Sequence, residues 1–264
     1  EELAQLATST TAATEPATEP STEAATTEPP TETTAPPPVP EHVVSTATIV
    51  STGDILMHKP VIDVNWTKDG YNFESIFRYI TEDVTAADYA VANLETTLRG
   101  ENPTYPYRGN PLFNCPDGIA LGSLNAGFDM LLTGNNHCYD TRKAGVVRTL
   151  EVLEQTGLES LGTQKTKEDP DYKVIEVNGI KVGMTAYTAE TSDGMPGVVS
   201  INAIQCNPDV NGMINTFDYG QLNKFYNEIG AQFEAMKAEG AEAIVVFMHW
   251  GEEYFLDPTE HQAK

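Results

Sequence analysis

Apolar runs that stop abruptly at polar side chains dominate the sequence after its first forty or so residues. Continuous apolar runs of this length are typical of parallel strands that are buried on both faces. The carboxyl ends of such strands meet at one edge of an open sheet. The pattern therefore predicts an α/β fold with polar groups gathered at one edge. The runs are Val43–Val50, Asp88–Ala92, Phe128–Leu132 and Glu242–Met248.

Helical spacing of apolar residues separates these runs. Strand and helix alternate from Val43 to Leu161, which indicates parallel βαβ units. Asn, Asp or Thr precedes two of the helices as a cap, and glycine ends two of them. The predicted helices are Phe73–Ile80 after Asn72, Pro116–Ala126, a helix from Asp140 or Thr141 to Gly157, and Tyr219–Glu239.

The pattern changes after residue 171. Tyr172–Val177 and Ile180–Tyr187 flank the dipeptide Asn178-Gly179, which strongly favours a two-residue hairpin turn. An antiparallel hairpin after a parallel half predicts a second sheet packed on the first. Residues 190–218 look irregular and suggest a lid.

Asn136 and His137 follow the third apolar run and suit a divalent metal site. An amide oxygen is a hard ligand for a cation, and a neutral imidazole can bind metal or donate a proton. The alternative is a strand-to-helix turn in which Asn135 and Asn136 supply turn geometry and His137 is an ordinary surface histidine.

The other run ends offer two carboxylates and a second histidine. Asp54 follows Gly53 after the first run, and His249 ends the last one. Asn93 and Glu95 stand two apart, so in an extended chain they point to the same side. Each residue alone can be explained as a cap or as part of a solvated loop. As a set at one sheet edge they favour a metal or catalytic site.

A proline-rich loop over residues 99–116 is too long for a simple connector. We expect it to overhang the site, with Tyr107 and Arg108 in contact with substrate, or else to be a packed structural loop. Glu252, shortly after His249, is the third candidate for substrate contact.

Residues 1–43 differ in composition from the rest of the chain. From Glu1 to Pro40 the sequence is almost entirely Thr, Ala, Glu, Pro and Ser, without Lys, Arg, Phe, Trp or Tyr. Such a segment cannot bury a core, so we expect a disordered, extended tether. A stalk of this kind is typical of a protein held at the extracellular face of a membrane. We expect its anchor or targeting segment to have been removed from the N-terminal side.

The charge balance argues against nucleic acid as a partner. The net charge is −24, and the tether, with eight glutamates and no basic residue, leaves −16 on the remainder. Phosphate binding needs a basic face, whereas an acidic surface suits cations or cationic surfaces, or simply solubility. Three cysteines without a Cys-x-x-Cys pair give neither a disulfide framework nor a zinc knuckle, so buried or half-buried free thiols are expected.

Four motifs, in this order and spacing, resemble the CapA family of poly-γ-glutamate capsule synthesis proteins: Gly53-Asp-Ile-Leu, Asn93-Leu-Glu, Gly134-Asn-Asn-His and His249-Trp-Gly-Glu-Glu-Tyr. The resemblance covers about Thr46 to Lys264. That family resembles the calcineurin-like metallophosphoesterases, which implies a four-layer α/β/β/α sandwich over residues 44–264. It also implies a metal site at the sheet edge. The implied ligands are Asp54, Glu95 as a bridging carboxylate, Asn136 and His249, with His137 as the catalytic proton donor.

Departures from the pattern weaken the expected site. Metallophosphoesterases carry a histidine where this chain has Leu56, and His58 could replace it only with a different geometry. Their second motif has Gly-Asp where this chain has Asn93-Leu94-Glu95. Members of the family continue beyond the Gln262 region to a Gly-His-His-Pro-His motif. We therefore expect a sandwich that is incomplete at its C-terminus. A divalent Mn, Mg or Fe ion is expected in the full-length protein, with weak or absent metal in this chain.

Two functions remain open at this point. The first is a cell-surface role in synthesis or export of poly-γ-glutamate or another capsule polymer, with the anionic polymer or other capsule-assembly proteins as partners. The second is metal-dependent hydrolysis of a phosphoester. A purely structural surface domain is the third alternative, so enzymatic activity stays undecided.

Overall fold

The computed structural model describes residues 44–192, 195, 197–252 and 254–263. The predicted tether over residues 1–43 lies outside the described residues. The strands are β1 Ile49–Asp54, β2 Trp66–Thr67, β3 Gly70–Tyr71, β4 Tyr89–Asn93, β5 Met130–Leu132, β6 Glu159–Leu161, β7 Lys173–Val177, β8 Ile180–Ala189, β9 Ser200–Ile201, β10 Ile204–Gln205, β11 Thr216–Phe217 and β12 Ala243–His249. The α-helices are α1 Lys59–Val64, α2 Glu74–Phe77, α3 Thr81–Thr85, α4 Gly118–Asn125, α5 Arg142–Thr156 and α6 Leu222–Ala238.

Two sheets carry the fold. The first has four parallel strands in the order β1, β4, β5, β6. In the second, β12 runs parallel along one edge of β8, while antiparallel β7 and parallel β11 pair with successive parts of its other edge. The turn between β7 and β8 is Asn178-Gly179, with φ angles of 51° and 80°. The predicted hairpin and second sheet are confirmed.

The sheets pack face to face and helices cover both outer faces. Leu132 and Leu161 of the first sheet meet Met184 and Ala186 of the second in a buried layer. The outer face of the first sheet packs on the cluster that contains Phe77, Phe128 and Leu153, from the α2 and α5 side. On the other side, α6 packs on β8, and Gly183 leaves room for Met236, since a Cβ there would lie 2.6 Å from its sulfur. The predicted four-layer α/β/β/α order is confirmed.

Some local predictions are wrong. β1 begins later than predicted and includes Asp54, so the carboxylate belongs to the strand itself. The helix expected over Phe73–Ile80 is only the single turn α2, and α3 is a separate helix that begins after Ile80. Ile76 and Ile80 remain partly exposed. The helical spacing of four apolar residues predicted a wider buried face than the structure has, because only Phe73 and Phe77 are buried.

The segment after β8 contains a small hairpin, β9–β10. Its two turn residues, Asn202 and Ala203, both have left-handed φ angles, of 50° and 56°. Ile201 is fully buried in a cluster with Cys138 and Tyr139. All three cysteines are free and buried, as predicted.

Within the described part of the chain, no helix is both long enough and apolar enough to cross a lipid bilayer.

We predict that Leu131→Ala lowers the free energy of unfolding by about 2–5 kcal/mol, because it leaves a cavity in a closed core. Leu131 is fully buried on the helix-covered side of the first sheet. Urea unfolding followed by circular dichroism measures the change. Leu121→Ala is the matched control, since Leu121 is 54% exposed and its loss should change stability by no more than about 0.5 kcal/mol. Equal effects of the two substitutions would contradict the assigned core.

Candidate metal centre

Three side chains with metal-binding groups meet where the two sheets adjoin. Asp54, Glu95 and His249 each offer one ligand atom, and these atoms all lie within 4.8 Å of one another. Asp54 ends β1, Glu95 follows β4, and His249 ends β12. The three predicted positions are therefore brought together by the parallel strand order.

Strand alternation aims His249 into the space between the sheets. Val245 and Phe247 of β12 pack in the layer between the sheets, whereas Met248 and Trp250 pack on the other face with Phe225. His249 has the parity of Val245 and Phe247, so its ring faces the first sheet.

Asn136 also reaches this cluster. Its Oδ1 lies 3.0 Å from Nε2 of His249. An amide oxygen can only accept, so Nε2 carries the proton, and Nδ1 is the acceptor that faces Nδ2 of Asn93 at 3.4 Å. The fourth predicted ligand is thus in direct contact with the third.

Burial lowers the pKa of His249 below its ordinary value. The charge of Asp54 acts in the opposite direction, and His137 adds to the lowering. The net effect favours the neutral imidazole, which is the form that binds metals.

Asn93 and Asn135 orient the groups of the candidate metal centre through hydrogen bonds. Asn93 donates to Oδ1 of Asp54 at 2.8 Å, and its own oxygen accepts from Nδ2 of Asn135 at 3.1 Å. Asn135 is fully buried and also accepts from the backbone N–H of His137. The sequence reasoning treated Asn93 as an acceptor for metal and Asn135 as a turn residue. It missed their role in positioning, because these partners are more than 30 residues apart.

His137 is buried beside the centre and is not a surface histidine. Its Nδ1 lies 2.7 Å from Oδ2 of Asp140, and its Nε2 lies 3.9 Å from Oε1 of Glu95. The ring of Phe113 packs on it edge to face at 4.5 Å. Asp140, fully buried, also accepts from the Phe113 N–H at 2.6 Å. The side chain expected as a helix cap therefore holds the imidazole, with Nε2 on the side of the metal candidates.

Two of the three residues predicted to contact substrate, Tyr107 and Arg108, make contacts within the protein. The ring of Tyr107 packs edge to face on Tyr71 at 5.7 Å, and Nε of Arg108 donates to the carbonyl oxygen of Leu112 at 3.0 Å. Glu252 is exposed after β12. A substrate role for Tyr107, Arg108 and Glu252 stays a prediction.

His58 lies to one side of the cluster. It is exposed and its ring packs on Phe113 at 5.1 Å. Among the described residues, the group that can hold a metal contains Asp54, Glu95 and His249 but not His58.

The donor set fits one divalent cation. Two carboxylates, an imidazole and the amide oxygen of Asn136 are ligands that Mg²⁺, Mn²⁺ or Fe²⁺ accept. A cavity of about 270 Å³, lined by Ser51, Asp54, Asn93 and His249 among others, opens beside the cluster. A small anionic group therefore has room next to the ligands. The weak affinity expected for this chain stays a prediction.

Comparison with known proteins gives a consistent picture. The profile of a family described as "Bacterial capsule synthesis protein PGA_cap" matches residues 48–264. The capsule biosynthesis protein CapA of Bacillus anthracis is 26% identical over 239 residues, which is 87% of this chain and 53% of that protein. The PGA biosynthesis protein CapA of Bacillus subtilis (strain 168) is 26% identical over 221 residues, covering 80% of this chain and 50% of that protein. The chain thus spans about half the length of these relatives.

A solved structure is similar over most of this chain. The 5′-nucleotidase precursor from Thermus thermophilus aligns with 78% of this chain and 37% of its own, at 18% identity and a TM-score of 0.43.

We predict that the wild-type protein loses more thermal stability on acidification than His249→Gln does. His249 has a lowered pKa in the folded state, so below about pH 6.5 the unfolded chain binds more protons there. The stabilisation from neutral His249 is present above that pH and is lost as the pH falls towards the lowered pKa. Tm values measured from about pH 7.5 to 5 test this, and parallel curves for the two proteins would refute it.

We also predict that Glu95→Gln weakens Mn²⁺ binding about tenfold or more, since it removes a charged ligand and not merely a supporting partner. Isothermal titration calorimetry on metal-free protein measures the affinity. Glu82→Gln, on the exposed surface of α3, is the control and should leave the affinity unchanged. Loss of binding in both variants, or in neither, would exclude the assigned site.

Proposed function

Because this chain belongs to the PGA_cap family of bacterial capsule synthesis proteins, we propose that it acts in synthesis or export of an anionic capsule polymer of the poly-γ-glutamate class. The cluster of Asp54, Glu95 and His249, with its ligand atoms within 4.8 Å of one another, is the observation that carries the proposal. We propose the extracellular face of the membrane as the place of action, on the composition of residues 1–43.

An acidic protein needs a positive charge to bind an anionic polymer. The net charge of −24 opposes the approach of a polycarboxylate. When bound, a divalent cation supplies that charge and open coordination positions for an anionic group. The residues of this chain do the rest. Asp54, Glu95, Asn136 and His249 hold the ion, and Asn93 and Asn135 orient them.

The adjacent cavity supports a polymer carboxylate as occupant. Its lining combines the hydroxyls of Ser51 and Thr52 with apolar residues that include Leu132 and Phe247, and among the described residues it contains no lysine or arginine. Affinity for the polymer then depends on the ion and not on direct ion pairs with protein. Binding that depends on the cation is the property that distinguishes this proposal from a purely structural role.

A specific observation favours a second candidate, metal-dependent hydrolysis of a phosphoester. The His137–Asp140 pair stands beside the centre, with Nε2 of His137 lying 3.9 Å from Glu95. Asp140 accepts from Nδ1 and directs Nε2 to the side of the centre, so the doubly protonated form of His137 can deliver its Nε2 proton to a leaving oxygen and return to the neutral imidazole.

We predict that the protein binds soluble poly-γ-glutamate in the presence of Mn²⁺ and releases it when EDTA is added. Glu95→Gln should weaken this binding about tenfold or more, and Glu82→Gln should not. Sedimentation or fluorescence anisotropy with labelled polymer measures the affinity. Polymer binding that survives EDTA undiminished would overturn the role assigned to the cation.

The same preparations separate the two candidates through an aryl phosphoester assay with Mn²⁺. Turnover that is lost in His137→Ala and kept in His261→Ala would make hydrolysis the better assignment. His261 is the control because it is exposed and packs on Tyr219. Polymer binding without turnover in the wild type supports the assembly role.

A further inference from the structure

Asn202 connects a distant hairpin to the His137–Asp140 pair. It is the first turn residue of β9–β10, and its Nδ2 lies 3.2 Å from Oδ1 of Asp140 and 3.3 Å from the carbonyl oxygen of Pro111. The same nitrogen is 3.3 Å from Nδ1 of His137. Nδ2 of Asn202 and Nδ1 of His137 both donate towards Asp140, so the carboxylate is the acceptor that they share.

Asp140 accepts hydrogen bonds from three different parts of the chain. Its Oδ2 takes the Phe113 N–H and the imidazole of His137, and Oδ1 takes the amide of Asn202. A buried carboxylate needs several donors to offset its desolvation. Without Asn202, Oδ1 would lose a donor, and the carboxyl group would be restrained through the two hydrogen bonds to Oδ2 alone.

The turn of the β9–β10 hairpin, which carries Asn202 to Asp140, has a strained backbone. A two-residue turn with both φ angles positive prefers glycine at its second position, and this chain has Ala203 there. Contacts around the turn hold it in place. The Ala203 N–H donates to Oγ1 of Thr191 at 2.9 Å, and Ile201 is fully buried beside Cys138. The tip that carries Asn202 is therefore fixed on the loop that carries His137.

We propose that Asn202 is a positioning residue, which holds Asp140 and through it the imidazole of His137, with Nδ1 donating and Nε2 directed to the candidate metal centre. The purpose of this positioning rests on the second candidate function, in which His137 delivers a proton, but its geometry does not require a bound metal. The segment that looked like a lid in the sequence is, in this assignment, part of the support for His137.

The test is NMR of metal-free protein labelled with ¹⁵N-histidine, in EDTA at fixed neutral pH. The chain has five histidines, and His137→Ala assigns the His137 signal. We expect a wild-type Nδ1–H resonance that exchanges slowly with water. Asn202→Gly keeps the left-handed turn but removes the amide, so exchange should accelerate about tenfold, the loss expected for one hydrogen bond to a charged group.

Two further variants separate positioning from simple folding of the hairpin. Asn202→Asp has nearly the same shape but replaces the donor with an acceptor that repels Asp140, so it should accelerate exchange as well. Ala203→Gly relieves the backbone strain and keeps the amide, so it should leave exchange unchanged. Unchanged exchange in both Asn202 variants would overturn the proposal, as would equal acceleration in Ala203→Gly.

The experiment is independent of polymer binding and of turnover. Slow exchange that depends on Asn202 in a protein without metal or polymer affinity would support the positioning role and refute the proposed function alone. Cation-dependent polymer binding together with exchange that is insensitive to Asn202 would refute the positioning role alone.

Discussion

The face-to-face packing of two sheets is the constraint on which the centre depends. Asp54 and Glu95 belong to the first sheet and its loops, while His249 belongs to the second. The apolar layer between the sheets, which includes Met184 and Phe247, sets the distance between these groups. Hydrophobic packing has no preferred direction of its own. Because the strands end at the same edge, however, packing the two sheets together brings the polar groups at the strand ends within reach of one ion.

The sequence predicted the parts of the structure that leave a local pattern. Abrupt ends of apolar runs predicted where Asp54, Glu95, Asn136 and His249 would meet, and Asn178-Gly179 predicted the hairpin that opens the second sheet. The hydrogen-bond partners of those residues were not predictable, because Asn135 reaches back over 42 positions to Asn93. Asn202 contacts Asp140 over 62 positions. Neither contact produces a periodicity or a motif, and polar residues in loops have many alternative uses.

The electrostatics of the centre relate the local chemistry to the composition of the whole chain. Two carboxylates lie within a few ångströms of each other, and burial lowers the pKa of the histidine beside them. The amide of Asn93 donates to Asp54 and also faces Nδ1 of His249. The folded protein therefore concentrates negative charge at the candidate metal centre. Without a bound cation, this charge would add to the overall acidity that hinders an anionic ligand.

Close approach of two glycines fixes the loop that carries Asn136 and His137. A Cβ on Gly162 would lie 2.5 Å from the backbone nitrogen of Gly134, and one on Gly134 would lie 3.1 Å from the Cα of Gly162. Direct contact between the main chains of Gly134 and Gly162 therefore sets the position of the loop. A methyl group on Gly162 would force the main chain of the loop to shift, and one on Gly134 would push on the main chain of Gly162. Tolerance to mutation is therefore low at a place in this loop where no side chain exists.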